Sequence, residues 1–182
     1  MIEVALSAIV QAKPARDNDV ELKRDSTSQQ IDAVSFTTHT TREVLMTIKF
    51  ESVSLEDAQR VIAAGQSEAS KIGSPSNVAV VDAGGNLVSH IRMDNAWVGS
   101  VDISINKAFT ARAFDIATND LAEQAQPGEQ FYGIQGSNHG RVMVFAGGIP
   151  LRRDGLVVGA VGVSGGSGLQ DQMVAEAAAA AF

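Results

Sequence analysis

The chain has no cysteine, so disulfides, thiolate metal sites and a cysteine nucleophile are all excluded. Three histidines, His39, His90 and His139, cannot make a tetrahedral zinc site without carboxylates. Aromatic residues are only 5% of the chain, and prolines number 4. No apolar run approaches the roughly 18 residues that cross a bilayer. The N-terminal run Val4–Val10 is short and follows Glu3 rather than a basic segment, so it is a poor signal peptide. The cytoplasm is therefore the expected location, with no membrane partner. Basic residues are also in deficit, 14 against 21 acidic, for a net charge of −7. That balance argues against a nucleic-acid partner, which calls for a basic face, but leaves room for a local basic pocket.

What is present is a 182-residue chain that is 45% hydrophobic and carries 17 glycines. This length suits one domain packed through small residues and tight turns. Residues 1–48 read as a leader, flexible or a non-native extension, because Gln11–Ser35 is polar, mixed in charge and without period. Met46 is a candidate natural start, and His39 falls in the leader and takes no role. The domain is expected over residues 49–182.

Ser54 with Asp57 resembles a capping box, and Leu55, Ala58, Val61, Ile62, Ala64 and Ala69 follow at helical spacing until Gly73 and Pro75. Asn77–Val81 reads as a buried strand, Asp82–Asn86 as a turn, and Leu87–Met93 as the paired strand. A second helix is expected from Gly99 to Ala117, and a short third one ending before Pro127. After a Gly-, Ser- and Asn-rich loop, strands are expected at Arg141–Phe145, Ile149–Arg153 and Leu156–Val163, with a hairpin at Asp154-Gly155. Gly159 and Gly162 imply close packing against the last strand. Ser164–Gly168 is a loop and Leu169–Ala181 a terminal helix. Strands joined by short hairpins form an antiparallel sheet, so the class is α+β.

Several residues invite a chemical reading beside a plain one. The loop Ser164-Gly165-Gly166-Ser167-Gly168 lacks the ending of a Walker A motif and the spacing of a dinucleotide fingerprint. Its amides at a helix start favour an anion such as a carboxylate or propionate. The plain alternative is a helix entry, with Ser167 as N-cap and Gln170 completing a capping box. Lys107 and Thr110 share a helix face and Arg112 points elsewhere. They are cations for an acidic ligand or a solvated face. His139, in a loop, is a general base, an axial metal ligand or an ordinary surface group. His90, on a strand, faces a cleft or solvent. Asp82 serves the turn amides. Serine, histidine and aspartate are all present, but serine-hydrolase chemistry, which needs the three brought together, is discounted.

The runs VAVVDAGGNLVSHIRMD, SVDISINKAFTARAF and GGIPLRRDGLVVGAVGVSGG resemble the GlcG/HbpS-like haem-binding family, which includes the C-terminal domain of PduO-type proteins, over roughly Leu55 to Ala180. The resemblance implies a profilin-like α+β fold: an antiparallel sheet of about five strands flanked by helices. It implies a homo-oligomer, dimer to octamer, and a haem-binding or slowly haem-degrading role, possible as an accessory of a catabolic pathway. It also implies Thr110, in Lys107-Ala108-Phe109-Thr110-Ala111, as the residue at the iron. Ser164, Gly165, Gly166 and His139 are further candidates for holding the cofactor. The chain departs from the family pattern at Ser137-Asn138-His139-Gly140, where His139 adds an imidazole, and at Ala146. The alternative is a cofactor-independent lyase on a small aromatic acid (hydroxylaminobenzoate-like) or a hydroxy acid. Its cation would be Lys107, Arg112 or Arg141, and its acid/base group His139 or His90.

Overall fold

A computed structural model describes residues 50–182. The leader expected over residues 1–48, with Met46 and His39, lies outside the described residues.

Helix α1 (Leu55–Lys71) begins where the capping box closes. The Asp57 amide donates to Ser54 Oγ at 3.1 Å, and the Ser54 amide donates to Asp57 Oδ2 at 3.3 Å. Two of the helix's orphan donors are thereby satisfied. The Arg60 guanidinium, ahead of Ser54, holds the Asp57 carboxyl well below the usual carboxylate range. The chain leaves the helix through Gly73 at φ 67. Strands β1 (Asn77–Asp82) and β2 (Leu87–Arg92) then form an antiparallel hairpin. Asp82 Oδ1 accepts from the amides of Gly84 and Asn86, both at 2.8 Å, which fixes the turn as the sequence implied.

Helices α2 (Ser100–Ala113) and α3 (Thr118–Gln124) follow. Strands β3 (Gly148–Arg153) and β4 (Leu156–Ser164) make a second antiparallel hairpin, and α4 (Gly168–Ala179) closes the chain. The strand order is β2-β1-β4-β3, with β1 and β4 paired at the centre. Because these two strands are covered on both faces, they read as unbroken apolar runs rather than alternating ones. On one face Val78, Val80, Val161 and Val163 pack with Val61, Ile62, Val174 and Ala178 of α1 and α4. On the other, Ala79, Val81 and Ala160 meet Ala108 and Ala111 of α2. That second layer is built from small side chains, so α2 lies very close to the sheet. At Gly162 an added Cβ would sit 2.1 Å from the Ser104 carbonyl oxygen.

Two expectations are corrected. The described residues hold four strands, not about five, because Arg141–Phe145 is not a strand. The Met143 amide in that segment donates to Thr110 Oγ1 at 2.9 Å, so a helix side chain replaces the strand neighbour. Helix α2 also stops at Ala113 rather than Ala117. Asp115 turns left-handed at φ 54, a role more often given to glycine.

Candidate functional site

Lys107 is fully buried beneath β4, not on a solvated face. Its ammonium donates to Asp171 Oδ2 at 2.7 Å and to the Val163 carbonyl at 2.8 Å, and lies 4.4 Å from the centre of the Phe145 ring. Burial pushes the Lys107 pKa down, opposed by the hydrogen bond and charge of Asp171. Asp171 stands in the first turn of α4, and its other oxygen, Oδ1, accepts from the amides of Gly165 at 3.0 Å and Gly166 at 2.9 Å. The anion on these loop amides is thus the chain's own carboxylate. The Ser164 carbonyl accepts from Asn77 Nδ2, and Ser164 is 4% exposed. Ser167 and Gln170 form the capping box named from the sequence.

Thr110 is also fully buried. Its hydroxyl donates to the Asn106 carbonyl at 2.7 Å and accepts the Met143 amide at 2.9 Å. One lone pair is left on that oxygen, and it is sealed from solvent. Asn106 Nδ2 donates to Asp102 Oδ2 at 2.9 Å, and its Oδ1 accepts from Arg141 Nε at 3.1 Å. The Arg141 guanidinium stacks 3.7 Å from the centre of the Phe109 ring. One stripe of α2 therefore carries a polar and aromatic chain leading from the interior to the Ser137–Arg141 loop.

His139 is exposed on that loop. It and Asn138 both hold left-handed backbone, at φ 59 and 50. Two adjacent non-glycine residues in this region store strain of order 1–3 kcal/mol each. The turn is held by the Gly140 amide on the Ser137 carbonyl at 2.9 Å and the Arg141 amide on the Asn138 carbonyl at 3.2 Å.

Arg112 lies in the last turn of α2 and lines a cleft of about 100 Å³ with Ala83, Gly84, Gly85, Phe109 and Ala113. Its Nη1 donates to Asp115 Oδ1 at 2.6 Å. A neighbouring cleft of about 310 Å³ is lined by Phe50, Ser52, Ala83 and Gly84.

His90 is half-buried on β2, with Nε2 at 3.3 Å from Ser104 Oγ. The Ser104 hydroxyl sits 2.8 Å from the Val101 carbonyl, an acceptor that competes for its single proton. Burial pushes the His90 pKa below its ordinary 6.5. The folded protein then binds fewer protons here than the unfolded chain, so stability falls as pH drops from 6.5 through the lowered value. His90→Gln is expected to flatten that slope below about pH 6.5. Urea unfolding at several pH values measures it, and an unchanged slope would contradict the assignment.

The structure thus gathers Lys107, Gly165 and Gly166 around Asp171, while Ser164 is bonded to Asn77 instead. It places Thr110 beneath the Arg141–Met143 segment, Arg112 at the β1–β2 turn, and His139 on an outer loop. No hydrogen bond or ion pair among the described residues joins His139 to Lys107 or Arg112; Lys107 is buried, Arg112 lines a cleft and His139 is exposed on a loop. Nor do three His, Asp or Glu residues gather as a metal cluster among the described residues. Sequence reading missed Asp171 and Asn106. The signal for Asp171 was an acid in the first turn after a Gly-rich loop, in a chain whose Lys107 stands among small and apolar residues.

The chain matches a known family. A family model described as haem degrading protein HbpS-like matches residues 53–180. The chain belongs to the HbpS-like family. It is 42% identical over 131 residues to an uncharacterized 15.0 kDa protein of the dhaT-dhaS intergenic region of Citrobacter freundii, covering 72% of this chain and 92% of that protein. It is 37% identical over 131 residues to the corrinoid adenosyltransferase PduO of Salmonella typhimurium, covering 72% of this chain but only 39% of PduO. It therefore corresponds to part of PduO's length. Among solved structures, a PduOC–haem complex superposes with a TM-score of 0.69 at 37% identity, over 71% of this chain and 94% of that one. HbpS superposes with a TM-score of 0.68 at 31% identity, over 75% and 93%. The HbpS-like chain is thus an antiparallel α+β protein whose relatives include a haem-bound one.

Proposed function

We propose that this HbpS-like protein binds haem, as a profilin-like homo-oligomer serving a catabolic pathway. The observation that carries the reading is its 37% identity to the PduOC chain crystallised with haem. The larger described cleft, about 310 Å³, lies at the low end of small-ligand sites, which run about 300–1,000 Å³. A tetrapyrrole would accordingly lie across a surface or between subunits. Thr110 is a poor choice for the iron, because its hydroxyl is enclosed and engaged with Asn106 and Met143. His139 offers an exposed imidazole on a strained loop, and Arg141 beside it offers a cation for a propionate. The bound group would supply the redox or sensing chemistry. The residues hold and orient it.

Hemin titration followed by the Soret band tests this. Wild type is expected to show a saturable shift that His139→Ala loses. Thr110→Val is expected to keep the shift, while losing about 1–3 kcal/mol of stability through the Met143 amide left without its acceptor. Loss of the shift in Thr110→Val alone, in a protein that still folds, would return the iron to Thr110. A weak, unsaturable response in wild type would remove the haem reading.

A further inference from the structure

The cleft at the β1–β2 turn holds one charged group, Arg112, among Ala83, Gly84, Gly85, Phe109 and Ala113. Two features make it more than a surface dent. First, Arg112 Nε is buried and finds no acceptor among the described residues. Nη1 is the nitrogen that bonds Asp115. Asp115 therefore occupies the tip of the guanidinium, while the side-on edge formed by Nε and Nη2 makes no hydrogen bond to the described residues. A carboxylate matches that edge with two parallel N–H···O bonds. A buried donor without an acceptor is costly and uncommon in folded proteins, so the edge calls for a partner. Second, the walls are apolar and held open. Gly85 sits at φ 77, and a Cβ there would meet the Phe109 ring at 3.1 Å. The one nearby carboxylate on the turn, Asp82, is spent on the Gly84 and Asn86 amides.

We propose that this cleft is a binding site for a small monocarboxylic acid, whose carboxylate takes the Nε/Nη2 edge of Arg112 and whose short apolar body lies against Phe109. With Nη1 already paired to Asp115 and the cleft walls apolar, the remaining edge takes one carboxylate and disfavours a dicarboxylate or a neutral amide. The cleft shares Phe109 with the Arg141 end of the His139 loop, but the proposal does not rest on the haem reading.

Calorimetric or NMR titration of the full-length, haem-free chain with acetate, butyrate and benzoate tests it, with succinate and butyramide as the dianion and the neutral analogue. Saturable binding of at least one monocarboxylate, with butyramide and succinate weaker by about tenfold or more, is expected. Arg112→Gln is expected to weaken that binding by about tenfold or more. Ala113→Leu, at an exposed position on the cleft wall, should block it by filling the space, and it decides the matter if Arg112→Gln does not fold. Equal binding of acid and amide, or full affinity retained in a folded Arg112→Gln, overturns the proposal. So does a flat acid titration in which Arg112→Gln instead lowers hemin affinity, because the edge would then serve a haem propionate.

Discussion

Asp171→Asn is expected to remove about 3–5 kcal/mol of folding stability, the usual result of taking one partner from a buried ion pair. The substitution is nearly isosteric, and the new amide oxygen still accepts from Gly165 and Gly166. It turns an NH₂ group toward the Lys107 ammonium, however, so two donors face one another. Among the described residues Lys107 keeps the Val163 carbonyl and the Phe145 ring as partners. Against a typical total stability of about 5–15 kcal/mol, such a loss is large. The pH dependence has a definite sign. Asp171 opposes the fall in the Lys107 pKa that burial causes, so its removal lowers that pKa further. The unfolded chain then binds more protons than the folded one between the lowered and the ordinary lysine value. The stability of the variant therefore rises with pH across that interval. Urea unfolding at neutral and alkaline pH measures both effects. A variant within about 1 kcal/mol of wild type, with the same slope, would show that the pair contributes little. Replacing the pair by Lys107→Met with Asp171→Leu should recover only part of the loss. Apolar substitution often restores a buried pair's stability, but here it leaves the Gly165 and Gly166 amides without their acceptor.

Gly162→Ala is expected to cost about 3 kcal/mol or more, the upper end for overpacking. The new methyl would fall 2.1 Å from the Ser104 carbonyl oxygen and 2.4 Å from the Ala108 amide nitrogen. Both obstacles are backbone of α2, which no rotamer change can clear. The helix would have to lift from the sheet, opening the layer of Ala79, Ala108, Ala111 and Ala160. Gly73→Ala is the control. It has open space around it but a φ of 67, so it should cost only about 1–2 kcal/mol, the strain of a left-handed residue. Thermal unfolding of the two variants compares them. Similar costs would mean that α2 does not press on β4 as described.

Much of the fold was legible because it is local. The Ser54/Asp57 and Ser167/Gln170 boxes, the Asp82–Asn86 turn and the Asp154-Gly155 hairpin each depend on residues within a few positions of one another. The four strands that pair are those with long apolar runs or clean turn residues. Arg141–Phe145 has the composition of a strand but lies where Thr110, 33 residues back from Met143, takes its amide. Strand propensity cannot foresee a partner of that kind. Helix α2 was harder, because it buries Ser100, Ser104, Asn106, Lys107 and Thr110 along with its alanines. A polar buried face leaves no apolar stripe to read. The same holds for the candidate site. Lys107, Thr110, Arg112 and His139 were visible as residue types, while their separation into interior, cleft and outer loop was not.

The sequence by itself determined the α+β class, the caps and turns, the absence of thiolate chemistry and, through its motifs, the family. Those properties are carried by composition and by neighbours along the chain. Only the tertiary structure decided that the amides of the Gly-rich loop belong to Asp171, that Lys107 is a buried structural cation, and that one edge of Arg112 finds no partner among the described residues. Each of these depends on groups brought together from distant parts of the chain, 64 residues apart for Lys107 and Asp171. Burial then sets what their charges can do.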